Sequence, residues 1–467
     1  MRDRDDGRGG TVSDELDILV IGAGACGLAA AIAAHDAGAS VAVIEKQERP
    51  GGNSSLSTGS VPAAGSRFQR EAGIEDEPAR MVADLMAIAG GETDDRALVE
   101  RLAGVSAETV EWLVDTVEAK LTLITAYKHI GHSVPRLHAP VSRRGQDLVD
   151  DLVAAAERRG IPIAVGNGAR ALIVEDGIVC GALVEAAGET VEIRAGKTIL
   201  ALNGFAANPE LVRRFCPEIA GAEYFGARGS TGEAVLWGEQ LGAALANMAA
   251  YQGYAAVAYP QGSLLSWTTV EKGGIIVGDD GRRFGDESLG YSGYAREVLA
   301  RGGRAYAVFD QKIFDVAAAE EEFMELWTYG GLKRGDTAEE IAQPFGLDPR
   351  GLADEIAQRN AAAAGTAPDP HGRRDFGLGA LTPPYYLGRV VPGLFHTQGG
   401  LRVDADARVL RQDGAPVPNL FAGGGAAAGI SGRAGALGYA SGNGLLSAIA
   451  LGRLAALAAA HELGSTS

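Results

Sequence analysis

Short apolar runs and one longer alanine-rich stretch alternate in the first fifty residues of the chain. Residues 17–21 and 41–45 are nearly continuous apolar runs, the pattern of strands that are buried on both faces. The stretch between them reaches about residue 37 and is ended by Gly38, so it predicts a helix. Strand, helix and strand in this order predict a βαβ unit, and therefore an α/β domain built on a parallel sheet.

The pattern further along predicts two domains. Helices are expected at residues 79–88, 96–119 and 144–160, and strands at 162–165, 171–175, 178–185 and 197–202. From about residue 260 the pattern becomes mixed strand and helix, with an acidic surface helix at 316–327 and a loop at 366–374. We therefore predict a disordered tail (1–13), a main domain (14–259 and 392–467) that ends in a helix at 444–462, and an inserted α+β domain (260–391).

Composition narrows the classes of function. The 42 basic and 60 acidic residues give a formal net charge of -18, which argues against nucleic acid or an anionic membrane as a partner. The three cysteines, Cys26, Cys180 and Cys216, lack metal-ligand spacing, so no metal site is predicted and a reducing cytoplasm is the expected location. No apolar run reaches about 18 residues without a charge or a glycine, so no membrane span is predicted.

A glycine motif follows the first predicted strand. Gly22, Gly24 and Gly27 form G-x-G-x-x-G between that strand and the helix, with roles in the tight turn, in the approach of backbone to a pyrophosphate and in helix packing. Glu45 ends the second strand, where a carboxylate can bind ribose hydroxyls. Together these features predict a dinucleotide site, with the phosphates at the N-terminus of the helix.

Several later segments resemble the fumarate reductase and 3-oxosteroid dehydrogenase superfamily of flavoproteins. They are Gly51-Gly52-Asn53, residues 199–205, Thr231-Gly232-Glu233, Gly281-Arg282-Arg283-Phe284, residues 397–400 and residues 419–425. The resemblance implies an α/β fold with a Rossmann-like FAD-binding domain of the GR2 type and an inserted α+β substrate-capping domain. It also implies FAD as the cofactor. We predict that FAD is bound noncovalently, because no His follows the Gly51-Gly52 pair as it does in succinate dehydrogenases.

The motif and the resemblance together give the predicted cofactor-binding residues. These are Gly22, Ala23, Gly24, Gly27, Glu45, Lys46, Gly52, Asn53, Ser54, Thr58, Gly59, Ala169, Asn203, Glu233, Gly425, Gly444 and Leu445. Two of them depart from the family pattern: Glu233 replaces the usual Asp, and Gly425 stands where the family often has a Glu that binds the cofactor.

The reacting site is predicted from what the chemistry needs. Moving hydrogen between a flavin and a carbon–carbon bond beside a carbonyl requires a hydride path to flavin N5, a proton-exchanging side chain and donors to the developing enolate oxygen. In fumarate reductases arginines serve as the acid and as a carboxylate clamp. The resemblance puts Tyr291 and Tyr439 at those two positions, Tyr254 at an upstream substrate histidine, and His396 at the substrate-side histidine of the family.

These replacements indicate a ketone rather than a dicarboxylate. Gly438-Tyr439-Ala440-Ser441-Gly442 is similar to the Gly-Tyr-x-Ser-Gly of 3-oxosteroid Δ4-dehydrogenases. A phenol can donate to a ketone oxygen or, as phenolate, take an α-proton, so Tyr291, Tyr439, Ser441 and His396 are predicted catalytic residues. Tyr254 and the backbone N–H of Gly442 are predicted substrate contacts. Which tyrosine is the base stays open.

We therefore expect an FAD-dependent enzyme that desaturates a cyclic ketone at its α,β-carbons, or runs the reverse. The ketone is a small alicyclic one such as 4-oxocyclohexanecarboxylate, or a 3-oxosteroid, and the electron acceptor is diffusible: oxygen, a quinone or an electron carrier. The alternatives are a fumarate-reductase-like reductase of an unsaturated acid or enone, and a noncatalytic flavin-binding redox partner. His129, His132 and His138 are expected in a solvated loop with Arg136, Arg143 and Arg144, and the alternative is that this loop holds an anionic group of the substrate. Tyr127 is a weaker candidate for a functional role.

Overall fold

The computed structural model describes residues 16–126, 128–436 and 438–466. The predicted tail at 1–13 and the candidate Tyr127 therefore lie outside the described residues. The strands, in chain order, are β1 (Leu16–Ile21), β2 (Val41–Ile44), β3 (Val61–Pro62), β4 (Leu121–Leu123), β5 (Leu137–Pro140), β6 (Ile163–Ala164), β7 (Gly168–Glu175), β8 (Ile178–Ala186), β9 (Glu189–Leu200), β10 (Glu223–Tyr224), β11 (Leu245–Ala246), β12 (Ala249–Ala258), β13 (Ile275–Val277), β14 (Ala305–Asp310), β15 (Leu332–Gly335), β16 (Tyr385–Thr397), β17 (Gly400–Leu401), β18 (Arg408–Leu410), β19 (Pro416–Ala422) and β20 (Ala434–Gly435).

Fifteen α-helices connect these strands in the part of the chain that is described. They are α1 (Ala25–Asp36), α2 (Gly52–Leu56), α3 (Arg67–Glu71), α4 (Pro78–Ile88), α5 (Arg96–Trp112), α6 (Gly145–Arg158), α7 (Pro209–Phe215), α8 (Glu233–Gln240), α9 (Thr268–Glu271), α10 (Gly290–Ala300), α11 (Gln311–Ala317), α12 (Glu321–Thr328), α13 (Ala338–Ala342), α14 (Pro349–Ala363) and α15 (Asn443–Thr466).

The first large sheet has eight strands and carries the Rossmann-like core. Its main path runs β18-β19-β9-β1-β2-β6, in which β19, β9, β1, β2 and β6 are parallel, and β8 and β7 extend it from β9. Helices α1 and α15 pack against this sheet and against each other. The predicted α/β fold class, with a Rossmann-like parallel sheet, is confirmed.

The second large sheet has seven strands, and most of its pairs are antiparallel. Its path is β13-β14-β16-β12-β20, with β10 and β15 also paired to the long strand β16. A second hydrophobic core packs on this sheet, around Tyr254, Val308 and Leu387. Strand β12 belongs to it although it precedes residue 260, and the division of the chain at 259/260 and 391/392 stays a prediction.

Two local expectations were wrong. The acidic helix predicted at 316–327 is two helices, α11 and α12, separated by a turn at residues 318–320. The loop with His132, Arg136 and His138 is not solvated, since all three side chains are at most 8% exposed. Arg136 is paired with acids of α4 and of the loop before it, His132 lies against Arg136, and His138 is hydrogen-bonded to Ser66. Charge counting along the sequence does not show these partners.

The closing helix lies inside the protein. Of the described helices, α15 alone is long and apolar enough to cross a membrane over residues Asn443–Gly464, with a mean hydropathy of 1.5. That stretch is 67% buried in the structure, and it packs on α1, α5 and strands of the first sheet. Its apolar surface is therefore used by the core.

Candidate active site

A cleft lies where the parallel strands of the first sheet end. Strands β1, β2, β9 and β19 run in the same direction, so their carboxyl ends reach one edge of the sheet. The residues that follow three of these strands, Gly22, Glu45 and Ala201, line the cleft. This is the edge at which open α/β sheets bind ligands.

The glycine motif has the geometry that a dinucleotide needs. Gly22 has φ +112°, and a Cβ there would lie 2.5 Å from the Ala201 carbonyl oxygen. A Cβ on Gly27 would lie 1.8 Å from the Gly22 carbonyl oxygen, so this glycine permits the contact between helix and turn. Gly24 lines the cleft as the N-cap of α1, and its missing side chain leaves the helix N-terminus accessible to phosphate.

The acid at the end of β2 is held in place by backbone. The Glu45 carboxylate accepts hydrogen bonds from the N–H groups of Ala23 and Gln47, both at 2.8 Å. Next to it, the Lys46 ammonium donates to Thr231 at 2.9 Å and forms an ion pair with Glu233 at 2.5 Å. Lys46 holds the pKa of Glu233 below its usual range against the opposing effect of burial.

The Gly-Gly-Asn segment supports the cleft from its other side. Gly52 lines the cleft and begins α2, Ser54 accepts from the Ala25 N–H at 3.2 Å, and Asn53 accepts from the Ala227 N–H at 2.6 Å. Thr58 is hydrogen-bonded to Ser60 at 2.9 Å, and Gly59 packs under Pro140. Asn53 and Ser54 thus join the segment to its neighbours.

Other predicted cofactor residues fall around the same cleft. Ala169 and Asn203 line it. A Cβ on Gly425 would lie only 2.4 Å from the Gly204 backbone nitrogen, so the Glu that the family often has here does not fit unless the backbone moves. The motifs missed other cleft-lining residues, because these come from separate loops and from a helix; examples are Gln47, Arg49, Asn167, Ala227, Arg228 and Trp237.

A second cavity, of about 570 Å³, lies beside Tyr439. Its apolar wall includes Ile88, Ile130 and Trp267. The first turn of α10 also lines it, at Gly290 and Ser292 on either side of Tyr291. The lining comes from helices α4, α9 and α10, from the loop near residue 130 and from the turn that carries Tyr439, so segments that are distant in the sequence meet at this cavity.

Tyr291 and Tyr439 are brought together although they lie 148 positions apart in the sequence. Their ring centroids are 5.8 Å apart, with an angle of 64° between the rings. Burial raises the pKa of both phenols, and Tyr439 raises that of Tyr291 further. A hydrogen bond from Tyr291 and one from the Gly442 N–H act in the opposite direction on the pKa of Tyr439, and a hydrogen bond with Ser441 does so for Tyr291.

His396 lies at the end of β16, where the two large sheets meet. Its ring centroid is 6.5 Å from that of Tyr439, and a Cβ on Gly444 would lie 3.5 Å from its Cε1. Burial lowers the pKa of His396 to about 4, so the imidazole is neutral at physiological pH. Gly444 and the buried Leu445 form the first turn of α15, so the N-terminus of this helix faces the same place.

Tyr254 contacts Tyr291 with its ring, because its hydroxyl is engaged in other hydrogen bonds. Its hydroxyl donates to the Leu265 carbonyl at 3.1 Å and accepts from the Trp267 N–H at 3.0 Å. Its ring lies 5.2 Å from that of Tyr291 and stacks on Phe395 at 5.5 Å. Phe395 and Trp267 were not among the predicted site residues. Phe395 could have been predicted, because it directly precedes His396 in the sequence.

Known proteins share this architecture. A family model described as "FAD binding domain" matches residues 17–445. The chain is 30% identical to a probable fumarate reductase of Shewanella frigidimarina, over 97% of this chain and 76% of that protein. Among solved structures, the open conformation of a flavocytochrome c3 fumarate reductase matches with a TM-score of 0.83 and 30% identity, over 96% of this chain and 78% of that one.

The chain is also similar to a solved structure of a steroid dehydrogenase. It is the 3-ketosteroid-Δ4-(5α)-dehydrogenase of Rhodococcus jostii RHA1 in complex with 4-androstene-3,17-dione, with a TM-score of 0.76 and 26% identity, over 96% of this chain and 98% of that one. The cleft at the strand ends, with its glycine turn, its anchored Glu45 and its open helix N-terminus, fits FAD. The chain belongs to the FAD-binding flavoprotein family that includes fumarate reductases and 3-oxosteroid dehydrogenases.

Proposed function

We propose that this flavoprotein is a dehydrogenase that introduces a C=C bond α,β to the carbonyl of a cyclic ketone. The substrate is a small alicyclic ketone such as 4-oxocyclohexanecarboxylate, or a 3-oxosteroid. The observation that carries the proposal is the pair of buried phenols, Tyr291 and Tyr439, beside the cavity. Phenols suit a ketone because they exchange a proton with the α-carbon or donate to the oxygen without a fixed positive charge.

The effects on the two pKa values favour Tyr439 as the proton acceptor. Tyr291 and Gly442 lower the pKa of Tyr439 against the effect of burial, whereas Tyr439 raises the pKa of Tyr291. Ser441 supports Tyr291 in turn. The α-proton of the ketone therefore goes to Tyr439, and Tyr291 and Ser441 hold the phenolate in place.

FAD, which Gly22, Gly24 and Glu45 would hold in the cleft, would supply the acceptor for the β-hydride and the link to a diffusible electron acceptor. Neutral His396 and the aromatic wall around Tyr254 orient the ring of the substrate and exclude water. We propose noncovalent attachment, because no His or Cys is among the described residues that line the cleft. Acid precipitation should then release all of the flavin into the supernatant.

Anaerobic mixing of the oxidised protein with a panel of cyclic ketones tests the proposal. Absorbance of the flavin near 450 nm should bleach with at least one ketone, and an enone should appear in the product mixture in equal amount. Succinate is the matched control. Bleaching by succinate together with no response to any ketone would sink the proposal.

A fumarate-reductase-like reaction is the second candidate, since the 30% identity to fumarate reductases favours it. The charges around the cavity do not favour a dicarboxylate. Among the described lining residues the one arginine is Arg373, and its guanidinium donates to the carbonyls of Val270, Gly274 and Asp375 and is paired with Glu287. The other cation among these lining residues is Lys272, next to Glu271, so a dicarboxylate would lack a free guanidinium for a bidentate clamp.

A further inference from the structure

The turn that carries Tyr439 and Ser441 is held by a loop from a distant part of the chain. The Ser441 N–H donates to the Ile130 carbonyl at 3.0 Å, and the Ser441 carbonyl lies 2.8 Å from His132 Nε2. Gly131, between these two partners, packs so closely that a Cβ on it would lie 2.3 Å from the Ala440 Cβ. Both backbone groups of Ser441 are thus used, which leaves its side chain to support Tyr291.

The hydrogen bond fixes which nitrogen of His132 carries the proton. A carbonyl only accepts, so Nε2 must donate, and in the neutral ring Nδ1 keeps a lone pair. That lone pair faces Arg136 Nη1 at 3.5 Å. A proton on Nδ1 would instead lie against the positively charged guanidinium. Burial and Arg136 lower the pKa of His132 to about 4, although the hydrogen bond to Ser441 acts in the opposite direction.

Arg136 is itself fixed by two carboxylates. Its Nε and Nη2 donate to the two oxygens of Asp76 at 2.7 and 2.8 Å, and its Nη1 reaches Asp84 at 2.5 Å. Asp84 also accepts from the Ser133 N–H at 2.9 Å, so α4 is joined to the same loop. The side chains of Arg136 and Asp76 are fully buried. A paired guanidinium of this kind has few alternative positions, so it keeps the imidazole of His132 in one orientation.

We propose that His132 is a positioning residue for the Tyr439–Ser441 turn, and that Arg136 with Asp76 and Asp84 sets its tautomer and orientation. The proposal rests on the proposed function for its effect on rate, but its structural part does not. Loss of the donor at Nε2 frees the Ser441 carbonyl and lets the turn shift relative to Tyr291. A displacement of about 1 Å at a reacting group can cost about 100-fold in rate.

Two amide variants form a matched pair. His132→Gln places an amide N–H near the position of Nε2, whereas His132→Asn places one near Nδ1, toward Arg136. Both variants remove the imidazole and remain polar. Hydrogen exchange of a peptide spanning residues 438–442 reports on the turn without any substrate, and flavin reduction by the best ketone reports on the rate. FAD content and thermal unfolding are measured in parallel.

His132→Asn should speed exchange of the Ser441 amide at least tenfold and slow flavin reduction about 10- to 100-fold with little change in KM, while FAD stays bound. His132→Gln should restore both to within about threefold of the natural protein. Equal behaviour of the two variants in exchange, or unchanged exchange in His132→Asn, would overturn the positioning role. If no ketone reduces the flavin of the natural protein, the proposed function fails, and the exchange result still decides the role of His132.

Discussion

The cleft at the strand ends and the reacting site around Tyr291 and Tyr439 differ in the groups that they present to a ligand. The cleft is polar and built largely from backbone: glycines at strand ends, N–H groups that hold Glu45, and the ion pair of Lys46 with Glu233. The reacting site is centred on neutral aromatic side chains, with Tyr254, Tyr291 and Tyr439 in ring contact, and charged residues such as Glu287 and Arg373 line the cavity beside them. The first arrangement is required by any dinucleotide, whereas the second depends on the substrate.

This difference between the cleft and the reacting site explains how one family can accommodate different substrates. The cleft can stay the same because FAD is the same, and its residues are constrained by close backbone contacts. Around the cavity we predict that Tyr291 and Tyr439 stand where fumarate reductases have arginines, a change of charge that would alter which substrate is stabilised. Substitutions in the two regions should therefore have separable effects, one on cofactor binding and the other on the rate per bound flavin.

The largest effect is expected at Tyr439. Tyr439→Phe removes the proton acceptor but keeps the ring, so flavin reduction by the ketone should fall about 1000-fold, with the FAD content unchanged. Tyr291→Phe should cost about 100-fold. Stopped-flow absorbance with equal amounts of bound flavin measures both. Full activity in both variants would show that the phenols have no part in the reaction.

The next effect belongs to the cleft. Gly27→Val places a side chain where a Cβ already lies 1.8 Å from the Gly22 carbonyl oxygen, so helix and turn must separate. We expect FAD affinity to fall about 100-fold or more, measured as flavin retained after dialysis. Gly104→Ala on α5, where a Cβ meets nothing within 4 Å, is the control and should keep its flavin. Retention of FAD by Gly27→Val would contradict the assigned role.

The pH dependence should separate the two regions further. Because the pKa of Tyr439 is raised in the folded protein, its phenolate is a minor form at pH 7 and grows as the pH rises. The rate of flavin reduction should therefore increase up to about tenfold per pH unit on the alkaline side of neutrality. FAD binding should stay constant over the same range. A rate that is flat from pH 7 to 10 in the natural protein argues against a phenolate base.

The smallest effect is expected at the ion pair of Lys46 with Glu233, next to Glu45. Glu233→Gln leaves Lys46 without its carboxylate partner, and we expect the Kd of FAD to rise about 3- to 10-fold, in line with a partly buried pair. Glu239→Gln on the same helix breaks an exposed pair with Arg214 and should change nothing measurable. Fluorescence titration of the apoprotein with FAD compares the two variants, and equal Kd values would show that Glu233 does not contribute to FAD binding.

The parts of the fold that could be predicted are those with local signals. The apolar runs that became β1 and β2 and the glycines between them follow from periodicity and turn chemistry, so the core unit was predicted to within a residue or two. The break between α11 and α12 could not be predicted, because residues 318–320 are Ala, Ala and Glu, which favour a helix and include no glycine or proline. The placement of β12 in the second sheet depends on its pairing with β16, a long-range contact without a local signal.

The site shows the same limit. Tyr291 and Tyr439 were predicted through a resemblance, and the structure brings their rings together, but their catalytic roles stay predictions. The buried cluster of His132 and Arg136 was missed, because the charged partners Asp76 and Asp84 lie about 50 to 60 positions away. Paired charges of this kind become visible only when the contacts between distant segments are known.

A competition between a cyclic enone and fumarate tests the proposed preference for a ketone over a dicarboxylate. The protein is reduced anaerobically with dithionite, freed of excess reductant and offered the enone and fumarate, separately and together. We expect the enone to reoxidise the flavin and to be converted to the saturated ketone, whereas fumarate is left unchanged in the mixture. Formation of succinate with no consumption of the enone would contradict it.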